Sequence, residues 1–258
     1  MTSTWFLLKG QSGYLQQQIG AACEAMKLSK KPPLLRTALF IVPALILLIL
    51  SSTAVAYWRY VYPTGKIVPG LYSVRIHNNG IPMGNFFIMQ IGDEYVAIDA
   101  GADNDETEKA LKNLGISATD VIAVFITHAH WDHIGSLTLF DNATIYTGIT
   151  EGSDFPDIPH RVLSDEEIIE LSGMSIQCFY TPGHTADSVC YLINGKYLFV
   201  GDLLVTTNDP PPPNPKRYDK DSQLLYRKVM LEMDDVAYVF TGHFGLFKDV
   251  RFFRWWWS

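Results

Sequence analysis

The chain has 258 residues, 48% of them hydrophobic and only 18% charged, with a formal net charge of −7. That length is enough for one domain with a sizeable core, and the composition excludes a wholly disordered chain. The charge is unevenly placed: residues 1–59 carry six Lys/Arg and one acid, plus five, so residues 60–258 carry minus twelve. An acidic C-terminal region argues against a nucleic acid partner, because backbone binding depends on neutralising phosphates with Lys and Arg.

Residues 1–36 form a short N-terminal segment with no sign of chemistry. Between Arg36 and Arg59 lie 22 residues without a charge. As a helix at about 1.5 Å per residue they reach roughly 33 Å, enough to cross a hydrocarbon core of about 30 Å. A single transmembrane helix is therefore expected over 37–58. Lys27, Lys30, Lys31 and Arg36 precede it and only Arg59 and Lys66 follow closely. The positive-inside rule then puts the N-terminus in the cytoplasm and the large C-terminal region outside. Tyr57, Trp58, Tyr60 and Tyr62 suit an aromatic belt at the far interface, and Pro43 is a kink that a membrane span tolerates. Cleavage after Ala56, in Ala54-Val55-Ala56, would instead release a secreted domain. The run exceeds a usual signal-peptide core of about 7–15 residues, so a retained signal anchor is the preferred reading.

Pro63, Gly65 and Pro69 mark 59–69 as a linker, and the domain is expected to occupy 70–258. Strands are predicted at 71–77 and 86–90, flanking Asn78-Asn79-Gly80, and at 95–98, ending in Asp99-Ala100-Gly101. A surface helix is expected over 104–114, with Ala110, Leu111 and Leu114 on its inner side and Gly115 as its stop. The apolar run 121–126 reads as a strand buried on both faces. Further strands are expected at 144–147, 175–180, 188–193 and 197–200, with Asn194-Gly195 as the turn between the last two. A helix follows over 218–233 with Leu224, Leu225, Val229 and Met233 as its apolar face, then a strand at 237–241. Asp209–Arg217 has five prolines between 210 and 215; it reads as a stiff loop, either covering a site or spacing the helix.

The chemistry is concentrated in histidine and aspartate. Three of seven histidines lie in His128-Ala129-His130-Trp131-Asp132-His133. In extended backbone His128 and His130 project to one side, and Asp132 and His133 can serve a second point just beyond, with Gly135 allowing close backbone passage. Thr181-Pro182-Gly183-His184, Gly201-Asp202 and Gly242-His243 follow. Each places its candidate immediately after a glycine at the end of a strand-like run, where loops converge on a site. Imidazole and carboxylate are ligands for zinc and related metals.

This ordered set, with the Asp99-Ala100-Gly101 turn before it, resembles the metallo-β-lactamase-fold superfamily over roughly 71–250. The resemblance implies an α/β (α+β) fold, a four-layer αββα sandwich, with a dinuclear metal site at one edge. Carried across position by position, His128, His130 and His184 would bind one metal, Asp132, His133 and His243 the second, and Asp202 would bridge them. Asp99 matches a supporting aspartate beneath the site. The implied cofactors are two divalent ions, Zn²⁺ first, with iron or manganese as alternatives. The full seven-ligand set resembles glyoxalase II, lactonases and related esterases more than the true zinc β-lactamases, which lack either the bridging Asp or the His after the motif Asp. Di-iron relatives carry Glu where His130 stands.

The expected activity is hydrolysis of an ester, thioester, lactone or amide by a metal-bound hydroxide, with Asp132 also orienting water or passing a proton to the leaving group. A phosphodiesterase acting on lipid or nucleotide phosphodiesters is the alternative, and a non-catalytic metal-binding sensor is the third reading. Substrate would be a small or lipid-derived molecule. Trp131 is expected to pack beneath the metal loop, and His160 to be exposed. Cys178 and Cys190 are either a disulfide or two buried apolar side chains. Arg251-Phe252-Phe253-Arg254-Trp255-Trp256-Trp257 suits a membrane interface or packing on the last element.

Overall fold

The computed structural model describes residues 64–78, 81–148, 155–204, 219–233, 235–243 and 245–248. The membrane span expected over 37–58, the alternative cleavage position after Ala56, the proline segment and the aromatic C-terminus lie outside the described residues. Among the described residues no helix is long and apolar enough to cross a membrane.

The first sheet has seven strands in sequential order: β1 (Gly65–Val68), β2 (Leu71–Asn78), β3 (Ile81–Ile91), β4 (Glu94–Ile98), β5 (Val121–Phe125), β6 (Thr144–Thr147) and β7 (Arg161–Val162). β1 to β4 form an antiparallel meander, and β4 to β7 are parallel neighbours. Parallel pairing needs a crossover, supplied between β4 and β5 by helix α1 (Asn104–Leu114). Asp103 caps α1 by accepting from the Glu106 N–H, and Gly115 ends it at φ +73°. The second sheet runs β13 (Gly245–Lys248), β12 (Tyr238–Thr241), β11 (Tyr197–Phe199), β10 (Val189–Ile193), β9 (Met174–Tyr180), β8 (Ile168–Leu171). Its one parallel pair, β11 and β12, is bridged by helix α3 (Lys220–Leu231). A single turn, α2 (Trp131–Ile134), follows β5.

Three apolar clusters define the layers. Alternate residues of both sheets, including Phe87, Phe125, Tyr191, Phe199 and Phe240, form the core between them. Phe199 stacks on Phe240 at 4.4 Å, and Phe87 lies edge-on to Phe240 at 5.1 Å. The outer face of the first sheet packs Val74, Phe86 and Val124 against Ala110 and Leu111 of α1. The outer face of the second packs Cys190, Leu198 and Val239 against Met230 of α3. β5 feeds both faces, Ala123 and Phe125 inward, Val121 and Val124 outward, as its unbroken apolar run requires.

Three expectations are corrected, and one open alternative is decided. Residues 65–68, assigned to the linker, form the edge strand β1, because Lys66-Ile67-Val68 extends beside β2 between two prolines. α3 does not bury Leu224, Leu225 and Val229, which are exposed; its inner residues are Gln223, Arg227 and Met230. Trp131 is 51% exposed, because Asp132 and His133 take the inward directions of the short α2 turn. A disulfide is also excluded. Cys178 stands opposite Tyr191, and Cys190 opposite Phe179, so strand alternation sends the two thiols to opposite faces of the sheet. Both are buried and free, and burial pushes each thiol up to about 12. His160 is exposed, as expected.

Candidate metal centre

All the candidate residues lie just beyond C-terminal strand ends: Asp99 after β4, the 128–133 run after β5, His184 after β9, Asp202 after β11 and His243 after β12. Hydrogen bonds between the sheets fix these loops against each other. Val189 N–H donates to Thr127 O at 2.8 Å, and Asn85 N–H to Gly242 O at 2.5 Å.

Each glycine before a ligand candidate has a steric reason. A Cβ at Gly183 would lie 2.5 Å from Gln223 N, one at Gly201 2.5 Å from Thr127 Oγ1, and one at Gly242 2.3 Å from Asp202 Oδ1. Gly84 of β3, absent from the sequence reading, would likewise meet Asp132 O at 2.8 Å. An isolated glycine inside a strand pattern is the signal that could have found it.

The seven residues separate into the two expected groups. His128, His130, His184 and Asp202 form one set of converging donor atoms, and Asp132, His133 and His243 the other, with the atoms of each set within 4.8 Å of one another. His130 Nδ1 lies 3.0 Å from His128 Nε2 and 3.1 Å from His184 Nε2. In the second set Asp132 Oδ2 is 3.5 Å from His243 Nε2 and 3.9 Å from His133 Nε2. Asp202 joins them, Oδ2 at 3.3 Å from His184 Nε2 and 3.0 Å from His243 Nε2, Oδ1 at 3.4 Å from His133 Nε2. The His243 side chain is 31% exposed and His130 is half-buried, whereas the other five residues are buried, so the mouth of the site lies on their side.

Asp99 holds the histidines from behind. It adopts φ +63°, a conformation Asp tolerates, and accepts from Thr127 N–H at 2.7 Å and Thr127 Oγ1–H at 2.9 Å. His133 Nδ1 lies 2.8 Å from Asp99 Oδ2 and donates to it, so Nε2 presents a lone pair to the site. His128 Nδ1, 3.1 Å from Thr127 Oγ1, donates there in the same sense. One carboxylate thus orients an imidazole in each set. Thr127 was missed as a contributor because its position before His128 carries no spacing signal.

Electrostatics divide the two sets. Burial holds His128 well below the usual imidazole range, reinforced by His133, and pushes His184 down to about 4. Burial alone would lower His133 too, but Asp99, Asp202 and Asp132 outweigh it and raise it well above 6.5. His243 is raised chiefly by Asp202. Burial would raise Asp202, yet His243 and His133 hold it far below the usual carboxylate range.

These residues fit cations. Three imidazole nitrogens converge about 3 Å apart, and a proton on one of them serves only part of the group, whereas a cation takes all three lone pairs. His133 Nε2 and Asp202 Oδ1 are buried without a hydrogen-bond partner, a cost on the order of 1–3 kcal/mol each unless a ligand takes them. Borderline N and O donors of this kind suit divalent metals.

Residues 80–243 match the family model of the metallo-beta-lactamase superfamily. The chain is 28% identical over 151 residues to metallo-beta-lactamase domain-containing protein 1 of Xenopus laevis, covering 57% of this chain and 64% of that protein. It is 35% identical over 134 residues to a hydroxyacylglutathione hydrolase of Salmonella typhi, covering 49% of this chain and 50% of that one. Less than two thirds of either relative is therefore spanned. A metallo-beta-lactamase family protein of Thermus thermophilus has the same fold, with a TM-score of 0.58 at 21% identity over 72% of this chain and 77% of the other. The ordered sheets, the His/Asp metal-binding site and the extent of the family match together make this chain a member of the metallo-beta-lactamase superfamily.

Proposed function

We propose that the two donor sets hold two divalent cations, zinc foremost, and that the chain hydrolyses an ester, thioester, lactone or amide, with a small-acyl thioester as the leading substrate class. The observation that carries this reading is Asp202, whose two oxygens are shared between the sets. The hydroxyacylglutathione hydrolase named among the relatives supports the thioester choice.

Two cations so placed would polarise a substrate carbonyl and lower the pKa of a water between them. The chain's own residues do the rest. Asp99 keeps the proton of His133 on Nδ1, away from the site. Asp132, buried beside His243 with Gly84 against it, has a carboxylate placed to orient the attacking water, take a proton from it and pass that proton to the departing sulfur or oxygen. His243 and His130 border the open side, where an acyl group would enter. If residues 37–58 act as the signal anchor their sequence suggests, the reaction would take place outside the cytoplasmic membrane, within reach of lipid-derived substrates.

Metal analysis of the full chain, joined to a panel of nitrophenyl ester, lactone, 2-hydroxyacyl thioester and phosphodiester substrates, tests this. Two metals per chain with thioester or ester turnover is the expected result. Phosphodiester turnover alone would replace it with the phosphodiesterase reading, two metals without turnover would make it a binding module, and no metal would overturn it.

A further inference from the structure

The inward face of α3 is polar where an apolar face was expected. Gln223 and Arg227, one helical turn apart, are 5% and 4% exposed. Burying an amide and a guanidinium is costly unless their donors are used. Gln223 Nε2 donates to the carbonyls of Asp202 and Leu203, each at 3.2 Å. Arg227 Nε and Nη2 donate to Leu203 O at 3.2 and 3.0 Å. The other side of the Asp202 turn is fixed by β12, through Val200 N–H to Phe240 O at 2.9 Å and Gly242 N–H to Gly201 O at 2.8 Å.

The same end of α3 meets the His184 loop. Asp219 N–H donates to Gly183 O at 2.8 Å, and Gly183 packs so closely that a Cβ there would strike the Gln223 main chain. One helical turn therefore touches both loops that bring Asp202 and His184 to the first donor set. A carboxylate shared between two cations tolerates little tilt, since its oxygens must face different partners and ligand constellations work only within about 0.5 Å.

We propose that Gln223 is a positioning residue that, through the Asp202 and Leu203 carbonyls and its contact with Gly183, sets the Asp202 carboxylate between the two donor sets. This rests on the two-cation reading of the site. Gln223 touches neither cation nor substrate and acts through Asp202. Its substitution therefore weakens the shared ligand before it weakens the fold.

The test is titration of metal-free full-length protein with Co²⁺, followed by its visible absorption, alongside kcat and KM for a 2-hydroxyacyl thioester. Wild type, Gln223→Leu and Leu225→Gly are compared. Leu225 is 58% exposed on the opposite face of α3, so its glycine variant weakens the helix without touching the turn. The expected result is two equivalents in wild type, a second equivalent at least roughly tenfold weaker in Gln223→Leu with an altered cobalt spectrum, kcat down at least roughly tenfold with KM within about threefold, and wild-type behaviour in Leu225→Gly. If Gln223→Leu does not fold, Gln223→Asn, with its amide one methylene short of the carbonyls, is read the same way. Two equally tight equivalents and an unchanged spectrum in the Gln223 variant overturn the inference, as does the same loss in Leu225→Gly. Fewer than two equivalents in wild type overturns the two-cation reading as well.

Discussion

Asp99→Asn is the sharpest perturbation of the site, because it preserves shape and backbone. Asn accepts a left-handed φ such as the +63° here. The carboxylate takes three hydrogen bonds, at 2.7, 2.9 and 2.8 Å, from Thr127 N–H, Thr127 Oγ1–H and His133 Nδ1–H. An amide cannot accept all three. With its oxygen toward Thr127 N–H, its NH₂ faces His133 Nδ1, which must become the acceptor, and the imidazole proton moves to Nε2, into the metal site. With its oxygen toward His133, its NH₂ faces Thr127 N–H, and a buried donor is left unpaired at about 1–3 kcal/mol. The first arrangement spares the metal-free fold and blocks a ligand; the second does the reverse. Loss of such support typically costs roughly 10–100-fold in metal affinity, about 1.4–2.7 kcal/mol. Zinc competition titration and urea unfolding of the metal-free protein separate the two. The expected result is zinc affinity down at least roughly tenfold with metal-free stability down by no more than about 3 kcal/mol. Affinity within about twofold of wild type would refute the argument that Asp99 sets the His133 tautomer.

Asp132→Asn should lower kcat on the order of 10²–10⁴-fold, the range for a lost proton-transfer group, while the cobalt equivalent on His128, His130 and His184 remains; wild-type turnover at wild-type metal content would remove the proposed role. Gly242→Ala pushes a methyl to 2.3 Å from Asp202 Oδ1 and should abolish binding of both metals, measured by equilibrium dialysis, with two bound equivalents as the contrary outcome. Cys190 gives a pH prediction. Its thiol titrates near 9 when unfolded and at about 12 when folded. The unfolded chain loses its proton first as pH rises, so this contribution is complete below about pH 9, declines through about pH 12, and reaches roughly 4 kcal/mol in all. In urea melts, stability should fall less between about pH 8 and 10.5 for Cys190→Ala than for wild type, by about 2 kcal/mol; parallel curves would refute it.

The site was legible because its ligands come in short local pieces. His128 to His133 are neighbours in sequence, and each remaining ligand follows a glycine at a strand end, a pairing whose cause is the backbone contact beneath each loop. The central strands were legible for the same reason that they are buried: unbroken or alternating apolar residues have few other solutions. The edge strands β1, β7 and β8 are short and partly exposed, and β13 has only four residues, so their pattern is weak. α3 misled because periodicity reports which residues share a face, not what that face meets. Leu224, Leu225 and Val229 align, but the turn after β11 offers carbonyls, and the helix answers with Gln223 and Arg227. Trp131 misled for a similar reason, since a single helical turn has too few inward positions for an aromatic beside two ligands.

Charge balance connects the ligand set to the proposed chemistry. Asp99, Asp132 and Asp202 are all buried, so three carboxylates meet in one pocket among the imidazoles. Without cations that concentration would be unfavourable, and the raised His133 and His243 show the protein drawing protons in to offset it. Two divalent cations would displace those protons and leave the pocket with one net positive charge. With those cations bound, the excess charge would favour anionic oxygen at the reacting centre. A fourth carboxylate in the pocket would cancel the excess and hold the cations more tightly at the expense of turnover. Thr127, which relays between His128 and Asp99 as a neutral hydroxyl, is suited to a position where an acid would do that harm.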